Sequence, residues 1–269
     1  MNEDKTLLKL QNHLYGMLIA FDKMCKEHDL VYYLAYGTLL GAVRHQGFIP
    51  WDDDVDVVMP REDYDKLLTI YEDVLPSNFV LHYYKNTPNH FLSFAKICDK
   101  NTTVVEKANY ANDYRIEGIY IDIFPLDGMG DNYKKAYNRA QRTLIYKTII
   151  DSSTEVFERK KRALWKQIII NWGRLFDYKK VQEKLDRFLR KKPYAKSKYI
   201  SMASGSHSTR RVVKKEIFGT PQKIKFGDYY FNAPEQAEEY LRIEYGDFMK
   251  LPPEEKRVGH SSIVYVDLE

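Results

Sequence analysis

Four carboxylates fall within five residues of the stretch WDDDVDVVMP, at Asp52, Asp53, Asp54 and Asp56. Three of them lead into an apolar run, Val55 to Met59, that reads as a buried strand, and Asp56 sits inside it. Charged side chains are almost never buried without partners, and an apolar frame makes a solvated acidic loop costly. Residues two apart in a strand share a face, so Asp54 and Asp56 are expected to project together, with Val55 and Val57 turned to the core. Asp52 could extend that row, and Asp53 would point away. Carboxylates held so close repel unless a cation lies between them. Mg²⁺, with Mn²⁺ as its substitute, meets that need, because it takes one or two protein carboxylates together with phosphate oxygens.

A third carboxylate is expected from a neighbouring strand. Asp122 fits, as a lone acid among Tyr120, Ile121, Ile123 and Phe124. Upstream, Gly37 and Thr38 stand where a strand ends and a helix begins, a place where backbone N–H groups and the helix dipole cradle phosphate. Arg44 and Lys96 are candidate phosphate clamps, the first by bidentate contact and the second as a point charge inside the apolar stretch LSFAKIC.

The elements that must carry these residues follow from periodicity. Leu7, Leu10, Leu14, Met17, Leu18, Phe21 and Met24 recur at helical spacing, which predicts an amphipathic helix over 5–28. Strands are expected at Val31–Tyr36, Val55–Met59, Phe79–Tyr84, Phe91–Cys98, Thr102–Glu106 and Gly118–Phe124. Thr38 is expected to cap a short helix through Arg44, and Pro60 to open another. From about 131 to 192 the pattern turns helical, and the end of the chain returns to short strands around Gly227–Asp228 and a helix from Pro234 to Tyr245.

Charge divides the chain in the same way. Residues 131–215 carry 24 Lys and Arg against 7 Asp and Glu, a balance of +17, which leaves −13 on the rest of a chain whose net charge is +4. The basic part interleaves its cations with Trp165, Trp172, Phe176, Phe188 and Tyr194. No nucleic-acid-binding motif accompanies them, which leaves a solvated helical face or a surface facing anionic lipid. The two cysteines, Cys25 and Cys98, form no CxxC and argue against a disulfide framework or a Cys-rich zinc site. No signal peptide and no spanning segment is evident, which places the protein in the cytoplasm, in peripheral contact with the inner membrane face if the basic part faces lipid.

The stretch YGTLLGAVRHQGFIPWDDDVDVVMPREDY resembles the signature of the LicD family, phosphocholine transferases of the nucleotidyltransferase superfamily related to the fukutin-type phosphoalditol transferases. The likeness continues through FAKI (Phe94–Ile97), YIDIFPLDG and YLRIEYGDFMKLPPEEKRVGHS, and is weakest over 131–215. It implies an α+β fold, a nucleotidyltransferase-like mixed sheet flanked by helices, with a catalytic core over 1–130, a helical basic insertion over 131–215 and C-terminal elements over 216–269 that complete the core. Asp54, Asp56 and Asp122 would hold Mg²⁺, Gly37 and Thr38 would bind the diphosphate, and Asp52 or Asp122 would take the acceptor's proton. Arg257 and His260, in the C-terminal motif, would contact phosphate or orient a carboxylate.

The activity implied is transfer of phosphocholine from CDP-choline to a sugar hydroxyl of a lipid-linked teichoic-acid or lipopolysaccharide precursor, with release of CMP. CDP-ribitol or CDP-glycerol as donor is the alternative, as is a nucleotidyltransferase acting on a small acceptor. A quaternary ammonium is recognised by aromatic faces; Trp51, Tyr36 and Tyr120 are the candidates for that role.

Overall fold

The computed structural model describes residues 3–107, 114–153, 168, 171–205, 212–259 and 263–267. A long helix, α1 (Glu3–Glu27), lies against the sheet and buries Leu10, Leu14, Met17, Leu18, Phe21 and Met24, the stripe its spacing predicts. Each such side chain contributes about 1.5–3 kcal/mol on leaving water. The chain then enters β1 (Tyr33–Leu34), α2 (Tyr36–His45), β2 (Asp56–Pro60) and α3 (Arg61–Val74). β3 (Phe79–His82), β4 (Ala95–Lys107) and β5 (Tyr114–Gly130) follow.

Four strands stand in the order β1–β2–β5–β4, and β10 (Ile263–Asp267) adds an edge beside the far half of β4. β2 and β5 run parallel, whereas the pairings β1–β2, β4–β5, β3–β4 and β10–β4 are antiparallel. The fold is therefore α+β with a mixed, mostly antiparallel sheet flanked by helices. The two strands expected at Phe91–Cys98 and Thr102–Glu106 are one strand, β4, interrupted by a register shift between Asp99 and Val104. Gly118 permits that shift, since a Cβ there would meet the Asp99 carbonyl oxygen at 2.0 Å.

β5 leaves this sheet at its C-terminal end, where Asp127 to Gly130 pair with β6 (Tyr199–Ser201), itself paired with β7 (Val213–Lys214). α4 (Tyr133–Ser153) and α5 (Tyr178–Arg190) cover this extension and build a second apolar cluster around Ala136, Ala140, Ile150, Leu185 and Leu189. Much of the helix expected over ALWKQIIINWGRLF, Trp165 included, lies outside the described residues. The hairpin β8 (Gln222–Phe226) and β9 (Tyr229–Ala233) and helix α6 (Ala237–Tyr245) return to the main core through Phe226, Phe231, Tyr240 and Leu241.

A buried ion cluster ties the two cores together. Arg61, at the start of α3, donates through Nε to Asp127 Oδ1 at 2.7 Å and through a terminal nitrogen to Asp186 of α5 at 3.2 Å. Asp65 lies 3.7 Å from the same guanidinium, and Arg190 closes the cluster by pairing with both Asp186 and Asp65.

Candidate active site

Sheet register assembles the site. Asp56 on β2 is the direct partner of Asp122 on β5, and Asp122 is the direct partner of Lys96 on β4. Side chains of laterally paired residues share a face, so two carboxylates and an ammonium form one row across three strands. Lys96 Nζ lies 3.5 Å from Asp122 Oδ1, in a position where the lysine side chain is 3% exposed. The same ammonium stands 3.1 Å from the centroid of the Tyr120 ring, one pleat along β5. Tyr120, Asp122 and Phe124 point to this face, while Ile119, Ile121 and Ile123 point into the core.

The three aspartates before β2 close over the row. Asp52, Asp53 and Asp54 each place a carboxylate oxygen within 4.8 Å of the others. Asp53 thus joins the cluster instead of pointing away, because regular strand geometry begins only at Asp56 and the preceding residues need not alternate. Asp52 is 1% exposed, and its main-chain oxygen accepts from Gln11 Nε2 of α1 at 2.8 Å. Its carboxylate lies against Gly37, where a Cβ would come 2.7 Å from Oδ2. Asp53 lies likewise against Gly259, where a Cβ would come 2.5 Å from its Oδ2. Burial, reinforced by Asp54, Asp122 and Asp52, pushes the Asp56 carboxyl well above the ordinary carboxylate range, and Lys96 only partly offsets this.

These hard oxygen donors fit a divalent cation. Burial among anionic neighbours raises the proton affinity of Asp56, and a divalent cation bound there would oppose that rise.

Helix α2 begins earlier than Thr38. The Ala35 N–H donates to the Asp56 carbonyl at 3.1 Å, and the chain turns into the helix at Tyr36, whose φ of 43° is left-handed. Ala35, not Thr38, is the N-cap. The Thr38 hydroxyl instead accepts from the Asp56 N–H at 2.8 Å and pins the first turn of α2 to the head of β2. Gly37 and Thr38 therefore stand beside the carboxylates, at the helix N-terminus.

Arg44 is at the other end of α2. Its guanidinium donates to the Phe248 carbonyl at 2.8 Å and lies beside His45, so the structure does not bring it to the aspartates. Trp51 meets His45 edge-on and carries the Arg257 guanidinium 5.7 Å from its centroid. Arg257 also donates to the Pro252 carbonyl at 2.9 Å. His260 lies outside the described residues. Tyr36 packs against Phe124 at 5.5 Å, and Phe94 packs on Phe124 at 4.2 Å. Phe94, Phe124, Gln11 and Gly259 were not singled out by sequence reasoning. The alternation Phe94–Lys96 and Asp122–Phe124 is the signal that would have found the two rings.

The sequence matches the family described as LicD/FKTN/FKRP, nucleotidyltransferase domain, over residues 29–157. It is 30% identical over 262 residues, 95% of this chain and 96% of the other, to the lipopolysaccharide cholinephosphotransferase LicD of Haemophilus influenzae. An uncharacterized protein of Rickettsia prowazekii is 44% identical over 50 residues, 19% of each chain. The long match takes in nearly the whole of both chains, and the family match alone spans Gly37, the aspartates, Lys96 and Asp122; on that ground the chain belongs to the LicD family.

Proposed function

We propose that this enzyme transfers phosphocholine from CDP-choline to a sugar hydroxyl of a lipopolysaccharide or teichoic-acid precursor, releasing CMP. The observation that carries the reading is the row Asp56–Asp122–Lys96 beneath the cluster Asp52–Asp54, in a chain similar along its length to a cholinephosphotransferase. The core is read as nucleotidyltransferase-like. Asp54 and Asp56, with Asp122 as third carboxylate, would hold Mg²⁺ or Mn²⁺, which supplies charge neutralisation at the donor's phosphates.

The residues of the chain do the remaining work. Backbone N–H groups at the start of α2, by Gly37, would receive phosphate oxygens. Lys96 adds positive charge beside the row, 3.5 Å from Asp122. The acceptor's proton would go to Asp52, enclosed under Gly37, or to Asp122, whose side chain keeps 15% exposure. As in other phosphoryl transfers, catalysis then rests on positioning and electrostatics.

The acceptor side favours a membrane surface. Ile145, Ile168, Trp172 and Leu175 are exposed apolar side chains in the basic segment, and such a surface suits anionic lipid around a lipid-linked acceptor. Among the described residues no helix is long and apolar enough to cross a membrane.

The test is calorimetric titration of CDP-choline, CDP-ribitol and CDP-glycerol with and without Mg²⁺, followed by detection of CMP on adding acceptor. Metal-dependent binding of CDP-choline and release of CMP support the reading. Binding of nucleoside triphosphates with release of pyrophosphate instead would replace it with nucleotidyl transfer.

A further inference from the structure

Of the three aromatic side chains expected to receive a quaternary ammonium, two already carry a cation of the protein. Tyr120 holds the Lys96 ammonium 3.1 Å from its centroid, and Trp51 holds the Arg257 guanidinium at 5.7 Å. A second cation on either ring would meet the first, and like charges at such range repel. The third ring, Tyr36, stands elsewhere. It packs edge-on against Phe124, which also carries Phe94 at 4.2 Å and an interplanar angle of 38°.

We infer that Tyr36 and Phe94, seated on Phe124, form the receptor for the trimethylammonium end of the donor. The inference rests on the proposed use of a CDP-choline donor and assigns the part of the site that selects its headgroup.

Distance supports the assignment. Phe124 follows Asp122 by two residues on the same face of β5, a spacing of about 6.6–6.8 Å along a strand. The two-carbon bridge of phosphocholine spans a separation of that order, so a phosphate at the Asp56–Asp122 row leaves its ammonium at the rings. Tyr36 reaches the same place from the opposite side, because its neighbour Ala35 pairs with the Asp56 carbonyl.

Chemistry supports it too. Two of the three rings carry no polar atom, and a trimethylammonium has no proton to donate and needs none accepted. A ribitol or glycerol chain carries no charge and would gain nothing comparable from the two phenyl faces. The nearby carboxylates add a negative potential that favours any cation.

The rings are also held in place before a ligand arrives. Phe94 ends a loop whose carbonyls are fixed from behind: His90 Nε2 lies 2.8 Å from the Phe94 oxygen, and Gln182 Nε2 of α5 donates to the Phe91 oxygen at 2.8 Å. Phe91 packs edge-on against Tyr178 of the same helix at 4.8 Å. Tyr36 is a bulky residue in a left-handed conformation, a strain that persists where the surroundings over-determine it and that clusters at ligand sites.

The experiment measures affinity for CDP, CDP-choline and CDP-ethanolamine in wild-type protein, Phe94→Leu and Tyr36→Leu, all with Mg²⁺. Leucine keeps apolar bulk and removes the π face. Each variant is expected to lose about 3- to 30-fold in CDP-choline affinity while its CDP affinity stays unchanged, since CDP lacks the headgroup. Phe94→Tyr, which keeps the ring, is expected to bind CDP-choline more tightly than Phe94→Leu does. Equal loss for CDP and CDP-choline would show a structural role and overturn the assignment, as would unchanged CDP-choline affinity in both leucine variants. Wild-type protein that binds CDP no less tightly than CDP-choline overturns the headgroup receptor while leaving a nucleotide donor in place. Wild-type protein that binds neither overturns the donor reading and the receptor together.

Discussion

Asp56 and Asp122 face each other as register partners across the parallel pairing of β2 and β5, the parallel contact in a sheet whose other pairings are antiparallel. The two acids are thereby fixed on one face at the spacing of adjacent strands. Neither can move away from the other without breaking the ladder, so the repulsion between them is built into the fold; the divalent cation of the proposed function would relieve it.

Asp56→Asn is expected to stabilise the metal-free protein at pH 7. The folded state raises the proton affinity of this carboxyl, so its contribution is neutral at pH values below the ordinary carboxylate pKa and becomes unfavourable as pH rises toward the raised folded value. Wild-type thermal stability without metal should therefore fall relative to the variant from about pH 4 upward. Mg²⁺ should raise the wild-type midpoint and leave the variant's nearly unmoved. Thermal melts at several pH values, with and without Mg²⁺, check both; a variant less stable than wild type at pH 7 in EDTA would falsify the repulsion argument.

Thr38→Val removes the hydroxyl that accepts from the Asp56 N–H and leaves that donor buried. The expected loss is about 1–3 kcal/mol of stability, together with activity, because the start of α2, proposed to receive phosphate, is no longer tied to the strand that holds the carboxylates. Thr38→Ser should recover most of both. Urea denaturation and CMP release on the pair of variants decide it.

Gly37→Ala should act on chemistry more than on folding. The new methyl would press on Asp52 Oδ2 at 2.7 Å and displace that carboxylate from the cluster. We expect activity to fall at least tenfold with a thermal midpoint within a few degrees of wild type, since a small displacement at a positioned site is enough for losses of this order. Full activity in this variant would mean that Asp52 has no part in the site.

Arg61→Met strips Asp127 and Asp186 of their shared guanidinium in a place closed to water. Breaking one side of a buried ion pair costs about 3–5 kcal/mol. The cost should show as loosening of α5 against α3, read by amide exchange along Tyr178–Arg190 rising before that of β2. Uniform exchange throughout the chain would count against a localised joint.

Lys96→Met keeps the stem that fills the strand and deletes the charge beside Asp122. The turnover number should fall more than the affinity for CDP-choline weakens if, as proposed, the charge acts where negative charge builds during transfer. A rise in KM with unchanged kcat would make Lys96 a ground-state contact only.

Much of this site is legible in the chain itself, because the clues are local. Four acids crowded at the head of an apolar run, and one acid inside YIDIF, conflict with burial wherever they lie, so their types and spacing already call for a cation. The stripe of α1 and the face of Tyr120, Asp122 and Phe124 follow from periods of 3.6 and 2. The partners across strands are another matter. Lys96 beside Asp122, Phe94 on Phe124 and Arg257 over Trp51 depend on register and on loop return, and a one-residue slip of β4 would have turned Lys96 to the other face. For the same reason Arg44, plausible as a phosphate clamp by residue type, is carried by the length of α2 to the Phe248 carbonyl. Thr38 is drawn from capping to the Asp56 N–H because the sheet takes the chain as far as Ala35. Residue chemistry is a property of short segments, whereas the pairing of distant segments is set by whichever register buries the most apolar surface with every backbone group satisfied.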